Sequence, residues 1–148
     1  MLKPSTRARY ALRAMLELSL HEATRPLLLR EIAKAQCISE KYLEQLTVPL
    51  RCARLLRGRR GSNGGYELAK PAKEIAAREI VEAVEGRLDL LDCVRMPVVC
   101  DRAPACAARG LWGRVSQAIT AALSETTLAD LREEQRLAEA KAVPSYEI

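Results

Sequence analysis

Gln36-Cys37-Ile38-Ser39-Glu40-Lys41-Tyr42-Leu43-Glu44-Gln45-Leu46, followed by Leu55-Leu56-Arg57-Gly58-Arg59-Arg60-Gly61-Ser62-Asn63-Gly64-Gly65-Tyr66-Glu67-Leu68, is the most informative part of this 148-residue chain. In the first run Ser39 suits a helix N-cap. Tyr42, Leu43, Leu46 and Leu50 then recur at three- and four-residue steps, giving one apolar stripe on a helix whose start is polar. Just upstream, Leu27 to Ala35 reads as an extended lead-in to another short helix. Two short helices joined by a tight turn form a helix-turn-helix, a pattern that many helical pairs share. The second run narrows the reading, because two strand-like segments around a Gly/Asn-rich turn predict a β-hairpin. A hairpin in that place is a wing. Arg57, Arg59 and Arg60 lie on it beside glycines, so a guanidinium can approach phosphates or enter a minor groove. A basic surface hairpin with no ligand is the plainer alternative.

On the N-terminal side, Ser5 or Thr6 can cap a helix after Pro4. Its apolar positions Tyr10, Leu12, Ala14, Met15 and Leu18 carry it to an end near His21–Thr24. On the C-terminal side, residues 75–85 predict an amphipathic helix that packs under the head and stops at Gly86. Residues 87–106 show no clear period. From Ala107 a long helix resumes, with Leu111, Trp112, Val115, Ile119, Ala122 and Leu123 along one seam. Thr126-Thr127 breaks it, and Leu128 to Ala142 predicts a last helix with a charged tail. No internal repeat or low-complexity linker is present.

The expected fold is mainly α: a winged helix-turn-helix head with a small β-hairpin wing and a long C-terminal dimerisation helix. The expected division is 1–86 for DNA binding, 87–106 as a cysteine loop, and 107–148 for dimerisation and the tail. The seam on the long helix suits a homodimer, since winged regulators usually read two half-sites as two-fold dimers.

Charge distribution points the same way. Net charge is +5, but residues 1–70 hold 14 Lys/Arg against 6 Asp/Glu, whereas residues 71–148 hold 10 against 13. A basic head on a slightly acidic body suits a polyanion such as double-stranded DNA. Hydrophobic residues make up 49% of the chain, with no Phe and one Trp, so the core must be Leu, Ala, Val and Ile. No apolar run of membrane-spanning length and no secretory leader pattern is visible, so no membrane partner is expected and the expected location is cytoplasmic. The single histidine, His21, reads as an exposed helix-end residue, and no nucleophile–base set supports an enzyme.

Five cysteines in such a chain are poorly explained by disulfides. Cys37 and Cys52 lie at apolar-leaning positions of the helix-turn-helix and read as small core residues. Cys93, Cys100 and Cys106 are separated by six and five residues in a loop containing Pro97, Asp101 and Pro104. Clustered thiolates suit a soft metal or an iron–sulfur cluster. The bare spacing also leaves room for reduced surface thiols, a thiol redox switch or a zinc scaffold.

From about Lys3 to about Leu131 the sequence resembles the winged-helix transcription regulators of the IscR/NsrR family, iron–sulfur-sensing bacterial repressors. The resemblance rests on Arg9-Tyr10-Ala11-Leu12, Ile38 to Leu46, Arg60 to Tyr66, Ile80 to Gly86, and Cys106 followed by Leu111-Trp112. It implies a homodimer on a palindromic operator. Ser39, Lys41, Tyr42, Glu44 and Gln45 would lie on or beside the recognition helix in the major groove, with Arg60 in the minor groove and Arg59 beside it on the wing. By its chemistry Gln45 can pair with an adenine edge and Lys41 with guanine or phosphate. Glu44 would repel phosphates and can accept from cytosine, so it tunes specificity. Tyr42 suits either core or interface.

The resemblance further implies that Cys93, Cys100 and Cys106 ligate an iron–sulfur cluster, two-iron or four-iron. Family members that bind clusters carry a histidine three residues after the third cysteine, or a carboxylate on the partner's first helix. Here those positions are Arg109 and Arg9, leaving Asp92, Asp101, solvent or a small thiol as the fourth ligand. A cysteine-metabolism branch of the family works without a cluster, through a thiol or a partner protein. Two further departures concern the head. Pro49 inside the recognition helix should bend or end it, and Arg54 occupies a turn that usually holds glycine.

Overall fold

Ser5 opens the first helix by accepting the Ala8 N–H at 3.0 Å, and the computed structural model of the chain describes residues 3–142 from there to the last helix. Helix α1 (Thr6–Leu20) turns Ala8, Ala11, Met15 and Leu18 inward. Helices α2 (Leu29–Gln36) and α3 (Glu40–Cys52) follow, then strands β1 (Leu56–Arg59) and β2 (Gly65–Leu68), and α4 (Ala77–Glu85) after a 3-10 turn at Ala72–Glu74. Beyond α4 come α5 (Asp92–Arg95), 3-10 turns at Pro97–Val99 and Ala103–Ala105, the long α6 (Ala107–Glu125) and α7 (Leu128–Ala142). The fold is mainly α with one antiparallel hairpin, a winged helix-turn-helix as expected.

Met15, Leu43, Leu55, Ile75, Ile80 and Leu128 are fully buried and form the centre of one core. The hairpin pairs Leu56 with Leu68, Arg57 with Glu67, Gly58 with Tyr66 and Arg59 with Gly65. Alternation along the strands turns Leu56 and Leu68 into the core and leaves Arg57, Arg59 and Glu67 on the outer face. Leu27 adds a third rung, donating to the Tyr66 carbonyl at 2.9 Å and accepting its N–H at 2.7 Å. Gly65 makes this approach possible. It sits at φ +141°, where a Cβ would come within 2.5 Å of the Leu27 carbonyl oxygen.

The break between α6 and α7 has a structural use. Thr126 and Thr127 run extended against residues 75–77: Ala77 donates to the Thr126 carbonyl and Leu128 to the Ile75 carbonyl, each at 2.8 Å. Asp130 caps α7, accepting from the Thr127 amide at 2.8 Å and from its hydroxyl at 2.7 Å, which holds the carboxyl below the usual carboxylate range. Arg132 then donates to the Ser19 carbonyl at 3.1 Å and to Glu22 at 2.6 Å. The last helix is therefore strapped to the head. The last six residues of the expected C-terminal tail, 143–148, lie outside the described residues.

Three expectations about local structure change. Pro49 does not end α3, which continues to Cys52. The proline removes one N–H near the C-terminus, the Ala53 amide still bonds the Pro49 carbonyl at 2.9 Å, and buried Leu46 and Leu50 hold the segment down. Ser39 occupies the N-cap position, but its hydroxyl makes no capping hydrogen bond. Cys37 and Cys52 are exposed rather than core. Cys37 closes α2 in left-handed backbone at φ +52°, and Ile38 takes the buried place beside it. Arg54 does adopt the left-handed turn, at φ +57°.

Candidate DNA interface and cysteine loop

Three contacts set the angle at which α3 is presented. Arg13 of α1 donates to the Gln36 side chain at 3.0 Å and to the Gln36 carbonyl, tying α1 to the end of α2. Tyr10 of α1 meets Tyr42 of α3 edge-to-face, with ring centroids 5.5 Å apart at 84°. The Arg13 guanidinium lies 5.7 Å from the Tyr10 ring centre, within cation–π range. At the start of α2, Glu31 accepts the Leu28 N–H at 2.7 Å and takes two bonds from Arg25, at 2.7 and 3.0 Å. These bonds, Arg25's first, hold its carboxyl at about 2.

On that frame Ser39, Lys41, Glu44 and Gln45 are exposed together along the outer side of α3, while Leu43, Leu46 and Leu50 are buried beneath. Tyr42 is half-buried against Tyr10, so most of its ring packs rather than projects. On the wing, the Arg57 Nε lies 2.6 Å from Glu67, and Arg59 lies 3.7 Å from the other oxygen of the same carboxylate. Arg60, at the start of the turn, is exposed and has no ion-pair partner among the described residues. Sequence reasoning overlooked Tyr10, Arg13 and Glu67. Only Glu67 left a usable signal, since a two-strand register places it opposite Arg57.

The cysteine loop is built differently. Cys93 lies in α5, Cys100 follows the Pro97–Val99 turn, and Cys106 is the N-cap of α6, its Sγ accepting the Arg109 N–H at 3.4 Å. All three are partly exposed. The Arg109 Nε donates to the Cys93 carbonyl at 2.6 Å, so this one residue joins the α5 cysteine to the helix that Cys106 caps. Leu90 donates to the buried Ser116 hydroxyl at 3.1 Å and fastens the loop entry to α6. Around the thiols Met96, Val98, Val99 and Leu111 are exposed, Val98 to 88%. Among the described residues no three His, Cys, Asp or Glu side chains gather closely enough to hold a metal ion. His21 caps the end of α1, 3.4 Å from Glu17.

Helix α6 covers its apolar seam only in part: Leu111 and Ala122 are exposed, and Trp112, Val115, Ile119 and Leu123 are half-buried. Its one buried residue is Ser116, and Ile119, Ala122 and Leu123 line a groove of about 640 Å³ with Ala8, Leu12 and Val81. No helix among the described residues is long and apolar enough to cross a membrane.

A recognition helix over a packed three-helix head, followed by a basic hairpin, defines a winged-helix DNA-binding regulator. The chain belongs to the Rrf2 family of iron-dependent transcriptional regulators, whose profile matches residues 4–134. It is similar to the transcriptional regulator CymR of Bacillus subtilis, 39% identical over 130 residues, covering 88% of this chain and 89% of that one. The solved structure of B. subtilis CymR, the global cysteine regulator, superposes with TM-score 0.77 at 37% identity, over 90% of this chain and 98% of that one. Protein rrf2 of Nitratidesulfovibrio vulgaris is 35% identical over 136 residues, 92% of this chain and 91% of that one. The structure of IscR from T. potens gives TM-score 0.79 at 33% identity, over 98% and 95%.

Proposed function

We propose that this protein is a homodimeric transcription regulator, not an enzyme, that reads a palindromic operator in the cytoplasm and changes its grip when the 93–106 loop changes state. In this reading residues 1–86 bind DNA, 87–106 sense and 107–148 pair the subunits, although Leu128 shares the core of the head. Ser39, Lys41, Glu44 and Gln45 contact the major groove with Tyr42 behind them, and Arg59 and Arg60 reach phosphates or the minor groove. The partly exposed seam of α6 and the groove beside it support a second copy as the partner.

The observation that carries the sensing proposal is the placement of Cys93 in α5, Cys100 just after the Pro97–Val99 turn and Cys106 at the N-cap of α6, along one segment leading into that helix. Three accessible thiols in one loop are a suitable donor set for an iron–sulfur cluster, and these residues would hold it. When bound, the cluster supplies a redox-labile cross-link among three thiolates. Cys106 would be the ligand at the start of α6, where it is the N-cap. Arg109 links the same helix turn to the Cys93 backbone, so drawing the cysteines together moves α5 and α6 as one. A shift of α6 alters the dimer seam and hence the spacing of the two recognition helices. A few kcal/mol of preference between two dimer states is enough.

A second reading has an observation of its own. The thiols do not converge on one point in this conformation, which favours a cluster-free sensor acting through a thiol or a partner protein.

Visible absorption with iron and sulfide analysis of anaerobically purified protein, beside a Cys93/Cys100/Cys106→Ala triple variant, separates the two. Brown wild type and colourless variant are expected. Wild type that stays colourless after cluster reconstitution would remove the cluster and leave the thiol reading. Equal operator affinity before and after chelator stripping would remove the switch.

A further inference from the structure

We propose that Glu67 is a selectivity residue of the wing, an internal counter-ion that keeps Arg57 and Arg59 from phosphates of DNA that does not match the protein. The three side chains share the outer face of the hairpin. Arg57 stands directly opposite Glu67 and Arg59 lies two residues along the same strand. One carboxylate oxygen is 2.6 Å from Arg57 and the other 3.7 Å from Arg59.

The partners are not equally free to move. Glu67 is 22% exposed, on a strand pinned to Leu27 through Tyr66, whereas the two arginines are 62% and 60% exposed. The carboxylate therefore stays in place, and the long arginine side chains are the parts that swing. Exposed ion pairs of this kind are weak. A phosphate held at the right position by the rest of the interface displaces Glu67, while a loosely approached phosphate meets a neutralised arginine and a nearby negative charge. Arg60, beyond the strand, has no such tether and remains the standing cation of the wing. Glu67 thus lowers affinity for arbitrary sequence more than for a fitted site, which raises the ratio between them.

The test is fluorescence anisotropy of a labelled short random-sequence duplex over a salt series, with wild type, Glu67→Gln, Arg57→Gln and the double variant. Glu67→Gln is expected to bind about three- to tenfold tighter at low salt, with the log–log salt slope steeper by about one. Arg57→Gln should barely change the slope when Glu67 is present and should lower it by about one in the Glu67→Gln background. A structural role for Glu67 would not produce that coupling. Unchanged affinity and slope in a folded Glu67→Gln protein would overturn the proposal. If that variant fails to fold, Arg57→Gln alone decides, since a full unit lost from the slope with Glu67 in place also overturns it. Wild type that does not bind the duplex at any salt would overturn the DNA interface as a whole, a failure distinct from unchanged slopes.

Discussion

The head and the stretch from Gly86 to Thr127 obey different rules. Through Val84 nearly every apolar stripe finds a partner: α1 on α4, α2 on α3, and the hairpin against α1 and α3. Between Val84 and Leu128, among the described residues, Ala103 is the one apolar side chain that is buried. Val98, Val99, Met96, Leu91 and Leu111 are instead exposed. The head buries most of its apolar stripes within one chain, leaving Leu28 and Val48 exposed, and the outer residues of α3 stand on that packed base. The cysteine loop and α6 have apolar surface left over, as expected for a part that is finished by a second subunit or a bound group.

The contrast makes quantitative demands. Ile80→Ala, deleting most of a fully buried side chain, should lower unfolding free energy by about 2–5 kcal/mol, and Val98→Ser should stay within about 0.5 kcal/mol, both by denaturant titration. A large loss from Val98→Ser in dilute monomer would show that the loop contributes to folding after all.

Gly65→Ala is a smaller but more local break. The new Cβ would strike the Leu27 carbonyl at a φ that L-residues rarely adopt, for a cost of about 1–3 kcal/mol. It should part the wing from Leu27, so DNA binding falls while the visible absorption of the proposed cluster is unaffected. Loss of both together would mean the two regions are coupled more tightly than their packing indicates.

The smallest effect depends on pH. Glu31 titrates near 2 in the folded protein because Arg25 and the Leu28 amide hold its charged form, whereas an ordinary glutamate titrates near 4.5. Its stabilising contribution is therefore present above about pH 4.5 and is lost as pH falls towards 2. Glu31→Gln should be less stable than wild type at neutral pH, with the difference closing across that window in urea midpoints measured against pH. A gap that stays constant to pH 2 would exclude this carboxylate as its source.

Much of the head was legible in the residues because its signals are local. Ser5, Gly86 and the three- and four-step spacing of Met15, Leu18, Leu43, Leu46 and Leu50 act within a turn or two of chain. The hairpin needed only its glycines and alternation. Pro49 misled because a propensity rule ignores two buried leucines on the same helix, and Cys37 misled because its place in a left-handed turn is not visible in its hydrophobicity.

The local pattern of residues sufficed for a winged head, its basic hairpin and a separate cysteine-bearing segment, since periodicity, turn chemistry and charge are written along the chain. Side-chain partnerships across elements were settled only by folding. These include Tyr10 backing Tyr42, Arg13 bracing Gln36, Arg109 reaching the Cys93 carbonyl, and α7 strapped by Arg132 to the end of α1. Most of these contacts join residues far apart in the chain. They depend on distances of a few ångströms that short-range pattern does not encode, and become defined only when the core fixes how the elements cross.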